Sequence, residues 1–343
     1  MTLPAPIADG PAPTTGALRD RFGRAHDYLR ISVTDRCNFR CTYCMPAEGV
    51  NFLPHADVLT FEEIVRIAAV FVRCGVRRIR LTGGEPTVRR GLVRLVAMLS
   101  ALGLDDLAMT TNGHRFAPMA QAMADAGLRR VNVSIDSLDP ARFRAMTRGG
   151  ELDRVLDAIA AARAARLVPV KLNVVVMAGE NDAEIDAIVD HFAPHAADTV
   201  VRFIEYMAFS GVDDARRHHL PVARIRERLA PRGLVPVANA GPGGGPAKYA
   251  KLADSGLTVG FISPITEHFC QACNRVRLQA DGHLRTCLSK EAEESLRDVL
   301  RRGVDDAGLE AVIRGRLWRK VAGHEAHLDD PASFEGYMTA IGG

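Results

Sequence analysis

Short strand-forming runs at 29–34, 77–82, 107–111, 130–136, 168–176 and 199–206 alternate with amphipathic helical stretches at 61–74, 89–102, 116–126, 151–166 and 182–192. Repeated βα order predicts a parallel sheet with crossover helices, because parallel neighbours cannot be joined by a hairpin. Six units are too few for a closed eight-stranded barrel, which leaves an open partial barrel or a doubly wound sheet. The strands themselves choose. Side chains alternate faces along a strand, so in "LRISVT" Leu29, Ile31 and Val33 oppose Arg30, Ser32 and Thr34. In "RIRLT" Ile79 and Leu81 oppose Arg78, Arg80 and Thr82; in "VNVSID" Val131, Val133 and Ile135 oppose Asn132, Ser134 and Asp136; in "KLNV" Leu172 and Val174 oppose Lys171 and Asn173. A parallel sheet covered on both faces reads as nearly continuous apolar runs instead. The alternation predicts a curved sheet whose convex face packs on helices and whose concave face lines a wet, cationic cavity. The sixth strand departs from the pattern, since Arg202 shares its face with Ile204 and Tyr206.

At 343 residues the chain fits one barrel-sized domain with an appendage. Its composition, 47% apolar and 25% charged, is globular, and no apolar run approaches the ~18 residues of a membrane helix. The opening "MTLPAPIADGPAPTTG" lacks the basic start and apolar core of a signal peptide, so residues 1–18 are expected to be a disordered leader and the protein cytoplasmic. The βα pattern ends near residue 207; we expect a partial barrel over 19–207 and a C-terminal extension over 208–343, with a flexible loop at "GPGGGP" (241–246) and a helical run around 290–302. A net charge of +3 is too small to imply nucleic acid by itself.

In a reducing compartment, seven cysteines, an odd number, read as metal ligands rather than a disulfide framework. Cys37, Cys41 and Cys44 follow directly on the first strand, at the carboxyl end where α/β sheets place their chemistry. A structural zinc takes four ligands, whereas a 4Fe-4S cube held by three thiolates keeps one iron open. A zinc site completed by a distant His, or unrelated core cysteines, fits the same spacing. Cys270, Cys273 and Cys287 form a second group, spaced C-x2-C-x13-C, which is zinc-ribbon-like and which His268 or His283 would complete as a zinc site. Cys74, late in a helix and outside both groups, reads as a core residue. Among the cations, Arg30, Arg78, Arg80 and Lys171 come from separate strands yet point the same way, and Arg275 and Arg277 beside the second group share a face.

"CNFRCTYC" after "LRISVTD", followed by "LTGGEP" at 81–86, resembles the radical S-adenosylmethionine enzymes. "CQACNRVRL" and the terminal "IGG" narrow the resemblance to the GTP 3′,8-cyclase family of molybdenum cofactor biosynthesis, and it runs from about residue 20 to the last residue. The resemblance implies an incomplete (β/α)6 TIM-like barrel with a C-terminal extension and two 4Fe-4S clusters. One cluster is implied on Cys37, Cys41 and Cys44, with S-adenosylmethionine on its open iron; Tyr43, Gly84, Ser134 and Met207 match positions that hold that cofactor. The other is implied on Cys270, Cys273 and Cys287, binding the guanine ring of GTP. Arg30, Arg78, Arg80, Thr111, Lys171, Arg202, Arg275 and Arg277 match GTP-binding positions, although family members often have Lys where this chain has Arg78.

The implied reaction forms (8S)-3′,8-cyclo-7,8-dihydroguanosine 5′-triphosphate. A 5′-deoxyadenosyl radical abstracts hydrogen from carbon 3′ of the ribose, and the resulting radical attacks carbon 8 of guanine. The terminal Gly342 and Gly343, anchored by Tyr337, Met338 and Ile341, match a tail that reaches the active site and acts there with Arg277. An electron donor and transfer of product to cyclic pyranopterin monophosphate synthase follow from the same resemblance, with no nucleic-acid or membrane partner; monomer and homodimer both stay open. Two rival readings are a peptide-modifying radical S-adenosylmethionine enzyme with an auxiliary cluster and, given a pI near 8.5, a zinc-stabilised nucleic-acid-binding protein.

Overall fold

The computed structural model describes residues 6–7, 10–207, 215–238, 245–288, 295–323 and 337–341. Six parallel strands occupy the expected positions: β1 (Tyr28–Ser32), β2 (Arg78–Thr82), β3 (Asp106–Thr111), β4 (Arg130–Ser134), β5 (Val170–Val176) and β6 (Thr199–Glu205). Each pairs in parallel with the next. Later segments add β7 (Leu234–Val237), β8 (Lys248–Leu252), β9 (Thr258–Ile262), β10 (Arg275–Leu278) and β11 (Leu284–Arg285). Among the described residues all eleven strands form one sheet, ordered β11-β10-β1-β2-β3-β4-β5-β6-β9-β8-β7. The second part of the chain therefore extends both edges of the first, with β10 parallel to β1 and β9 parallel to β6. The sheet crosses residue 207 without a break in its hydrogen bonding.

The apolar sides of the strands make the core. Leu29, Ile31, Ile79, Leu81, Val131, Val133, Leu172 and Val174 are fully buried, and the helices Phe61–Arg73, Leu92–Ser100, Leu152–Ala164 and Ile185–Phe192 pack apolar residues into the same cluster. The first of these helices starts at a capping box, with the Thr60 hydroxyl accepting from the Glu63 N–H and the Glu63 carboxylate accepting from the Thr60 N–H, so two otherwise orphaned donors are satisfied. Cys74 lies at its carboxyl end, buried in the core. The sequence reading missed the helices Pro140–Thr147 and Val222–Leu229; the signal of the first stands in "LDPARF", where Asp139 caps the helix and Pro140 opens it.

In the expected leader, Gly10 and Gly16 offer their carbonyls to Trp318 and Arg314 on the helix Asp306–Trp318, and Leu18 enters the core. In the expected flexible loop, 241–244 lie outside the described residues. So do 289–294 in the expected helical run, which is helical over Leu296–Arg301. No helix among the described residues is long and apolar enough to cross a membrane.

On the polar side, Arg130 and Asp106 form a buried ion pair between β4 and β3, with Arg130 Nε donating to Asp106 Oδ1 at 2.7 Å. Removing one partner leaves a buried charge uncompensated. Arg130→Met is expected to lower stability by about 3–5 kcal/mol, read from the denaturant midpoint, and adding Asp106→Leu is expected to recover most of the loss.

Candidate active site

The loop after β1 carries the first three thiols and is held from two sides. On one side, backbone hydrogen bonds continue past the strands: Val33 N–H to the Thr82 carbonyl (2.9 Å), Gly84 N–H to Thr34 (2.7 Å) and Glu85 N–H to Arg36 (2.8 Å). The approach is so close that a Cβ on Gly83 would lie 2.5 Å from the Thr34 oxygen, and one on Gly84 2.4 Å from the Arg36 oxygen. On the other side, Arg40 and Thr42 donate their N–H groups to Thr147 and Met146 at the end of the helix Pro140–Thr147.

Cys37, Cys41 and Cys44 all line one cavity on the concave face of the sheet. Cys37 Sγ accepts from the Phe39 N–H (3.4 Å) and the Asn112 amide (3.9 Å). Burial pushes the Cys37 thiol up to about 11 and Cys44 up to about 12, and raises Cys41 well above its ordinary value, so no bare thiolate persists there at neutral pH. A metal centre removes that penalty, because thiolate ligation releases the proton. Among the described residues, no three His, Cys, Asp or Glu side chains converge on a single-ion position.

Tyr43, Gly84, Ser134 and Met207 line the same cavity. The Tyr43 hydroxyl donates to Asp136 Oδ2 at 2.7 Å, and Asp136 Oδ1 accepts from the Val175 N–H at 2.9 Å. Burial nevertheless lifts the Asp136 carboxyl to about 6. Asp136 was not singled out from the sequence as a site residue, although "VNVSID" places it on the polar face. Glu85, buried in the same cavity wall, accepts from the Thr111 hydroxyl (2.7 Å), the Asn112 N–H (2.6 Å) and Thr87. Thr111 thus spends its hydroxyl proton on Glu85.

The other end of the cavity is cationic. Arg80 on β2 and Arg277 on β10 flank Arg30 on β1 in register, while Lys171 and Arg202 come from β5 and β6; all five line the cavity, as does Arg275. Burial, then mutual repulsion, holds Arg30 well below its ordinary value, brings Arg80 and Arg277 to about 10, and takes Lys171 to about 6. The Asn132 amide oxygen faces both Arg80 and Arg202. Even so, Nε of Arg80 and of Arg202 and Nη1 of Arg130 are buried donors with no hydrogen-bond partner among the described residues. Buried donors are ordinarily paired, and a polyanion supplies the acceptors and charge that this wall lacks.

Arg78 stands apart from the other predicted cations. It occupies the first position of β2, away from the cavity lining, and pairs with Asp27 at 2.6 Å. Arg130, which the sequence reading passed over, does line the cavity; it keeps the parity of Asn132 and Ser134 and was legible on that ground.

Cys270 and Cys273 sit on a short turn stapled by the Cys273 N–H to the Cys270 carbonyl (3.1 Å), just before β10, and Cys287 follows β11. Their chain neighbours Phe269 and Leu288 form part of the cavity wall. Burial alone would raise the Cys273 thiol, but the charges of Lys320 and Arg275 bring it down to about 6. His283, a candidate zinc ligand, pairs with Asp281 at 2.9 Å. The chain end returns to the cavity as a helical turn, Met338–Ile341: Met338 and Thr339 line it, the Thr339 N–H reaches the Cys44 sulfur, and Ile341 packs on Met207, Ile265 and Leu288. Gly342 and Gly343 lie outside the described residues.

A partial parallel barrel with three thiols on the loop after its first strand defines the class: residues 31–192 match the model of the Radical SAM superfamily, and residues 199–326 match Molybdenum Cofactor Synthesis C. The fold agrees with that of Streptococcus suis SuiB bound to S-adenosylmethionine, at a TM-score of 0.56 and 16% identity over 91% of this chain and 76% of SuiB. The chain belongs to the GTP 3′,8-cyclase family. It is 44% identical to the GTP 3′,8-cyclase of Rhodopseudomonas palustris (strain TIE-1) over 335 residues, 95% of this chain and 96% of the relative. To that of Rhizobium meliloti (strain 1021) it is 46% identical over 324 residues, covering 92% and 90%. Radical SAM membership carries with it S-adenosylmethionine and one 4Fe-4S cluster.

Because Gly84 has no room for a side chain, Gly84→Ala is expected to displace the loop that holds Cys37 and Cys41. A stability loss of about 1–3 kcal/mol should accompany reduced iron retention, measured by denaturation and iron analysis on the same preparation.

Proposed function

We propose that this chain is a GTP 3′,8-cyclase, converting GTP to (8S)-3′,8-cyclo-7,8-dihydroguanosine 5′-triphosphate in the first step of molybdenum cofactor biosynthesis. The observation that carries the reading is one cavity with two chemically opposite ends: three half-buried thiols at one, and at the other a wall of buried cations with unpartnered donors. In this reading Cys37, Cys41 and Cys44 would hold the first cluster, and Cys270, Cys273 and Cys287 would hold a second, which would serve to bind the guanine. When bound, the first cluster supplies the electron that cleaves S-adenosylmethionine to a 5′-deoxyadenosyl radical.

The protein's part is to bind, orient and exclude. Tyr43, Gly84, Ser134 and Met207 hold S-adenosylmethionine, with Asp136 fixing the Tyr43 hydroxyl. Arg30, Arg80, Lys171, Arg202, Arg275 and Arg277 hold the triphosphate, since guanidinium forks match phosphate oxygens and the anion relieves the crowding of positive charge. Arg130, already committed to Asp106, turns its remaining Nη1 donor to the same anion. Thr111, bonded to Glu85, acts on GTP through the shape of the wall rather than by a free donor, and Arg78, bonded to Asp27 outside the lining, acts at most through the long-range field of its charge. An electron donor reduces the clusters, the product passes to cyclic pyranopterin monophosphate synthase, and the chain works in the cytoplasm as a monomer or homodimer.

The test is anaerobic incubation with reductant, S-adenosylmethionine and each of the four nucleoside triphosphates. 5′-Deoxyadenosine and a cyclised nucleotide are expected with GTP alone; equal turnover with every nucleotide, or none with GTP, would end the reading. In the same assay Arg80→Ala is expected to weaken GTP binding by about 1.5–3 kcal/mol, the scale of a charge-assisted hydrogen bond, with iron content unchanged.

In this reading the terminal glycines act with Arg277, and the position of Met338 and Thr339 in the cavity wall supports it. Deleting Gly342 and Gly343 is expected to leave folding, iron content and S-adenosylmethionine binding intact while abolishing cyclised product. Product formation at the wild-type rate by the shortened chain would assign the tail no part in the reaction.

A further inference from the structure

Among the buried cations outside the cavity lining, Lys320 touches a cysteine. Lys320, just beyond the helix Asp306–Trp318, is 2% exposed. Its ammonium donates to the Arg275 carbonyl oxygen at 2.8 Å, faces Nδ1 of His26 at 3.5 Å and reaches Sγ of Cys273 at 3.6 Å. An ammonium has three donors, and here all three are directed. Among these contacts there is no carboxylate.

The group is pinned from behind. His26 Nε2 lies 2.9 Å from Asp20 Oδ2 and, as burial and the neighbouring Lys320 charge take the ring down to about 4, His26 is neutral: its Nε2–H donates to Asp20 and its Nδ1 accepts from Lys320. Asp20 is held in turn by Arg24 Nε at 2.6 Å. The Arg24 Nη atoms close the frame, donating to the carbonyls of Cys270 (2.8 Å), Val321 and Ala322 (both 2.6 Å). Residues 20–26 thus tie the backbone of one cysteine of the second group to the strand of chain that carries Lys320.

A buried ammonium is costly unless negative charge opposes it, and a carbonyl and a neutral imidazole supply only dipoles. The place left for that charge is the Cys273 sulfur. We infer that Lys320 is the resident counter-charge of the second 4Fe-4S cluster, donating to the Cys273 thiolate and thereby raising the reduction potential of that cube. The inference rests on the reading that Cys270, Cys273 and Cys287 hold such a cluster. One-electron reduction adds a negative charge to the cube, and a fixed cation hydrogen-bonded to a ligand sulfur favours the more negative state. Lys320 is therefore a positioning and tuning residue, since it meets the cluster through Cys273.

Iron is measured first on wild-type protein purified anaerobically. About eight irons per chain support the underlying reading, given four in each cube, whereas four irons or bound zinc would remove the second cluster and this proposal with it. Redox titration followed by electron paramagnetic resonance then compares wild type with Lys320→Met, the second cluster being the signal that survives in a Cys37→Ala, Cys41→Ala, Cys44→Ala protein. Reduction of the second cluster is expected to become at least tenfold less favourable, a fall of about 59 mV for one electron, while the first cluster's potential stays put. An unchanged potential with full iron overturns the proposal. Should Lys320→Met lose its second cluster, Lys320→Arg decides: retention of eight irons by the Arg protein, about the wild-type content, supports a requirement for charge, and loss in both variants overturns it.

Discussion

Crowded like charge, walled off from water, is the constraint around which this molecule is arranged. Arg30, Arg80, Lys171, Arg202 and Arg277 face one cavity from five strands, and every one of them is held below its ordinary pKa by burial. Such a wall is stable only because the sheet behind it is not free to relax: the opposite side of each strand is locked into an apolar core with no solvent exposure. The fold therefore carries the electrostatic strain, and a polyanionic ligand relieves it. Binding energy of that origin appears only when an anion occupies the cavity, which is how a rigid site separates a triphosphate from uncharged competitors.

Much of this was legible from residue order. Strand parity alone separated Leu29 and Ile31 from Arg30, and Ile79 and Leu81 from Arg80, and so foretold both the core and the cationic face. Parity does not say how far along a strand the cavity reaches. Arg78 has the right parity but stands at the first position of β2, paired with Asp27 outside the lining, whereas Arg130 also opens its strand yet lines the cavity, paired across the sheet with Asp106. Those outcomes depend on partners distant in sequence, which no local pattern encodes.

The partners of the second half were equally hidden. Nothing in "NRVRL" announces that β10 pairs with β1, some 245 residues earlier, or that β9 pairs with β6; edge pairing is a property of the assembled sheet. The consequence for the site is direct. Arg277 stands in register with Arg30, and Arg30 with Arg80, so the cationic row crosses the junction between the two halves of the chain. Lys320 and its His26–Asp20 support make a second connection of the same kind, from the first strand's approach to the segment after the helix Asp306–Trp318.

That arrangement gives the chain a history during synthesis. Until β9 and β10 have emerged from the ribosome, the six-stranded unit presents open edges at β1 and β6, each a row of unpaired backbone donors and acceptors of the kind that templates aggregation. The nascent protein spends the making of roughly a fifth of its length in this unprotected form. The segments that complete the cavity are thus also the ones that seal the sheet, so a ribosome that stalls between residues 206 and 258 releases a product that is both inactive and sticky.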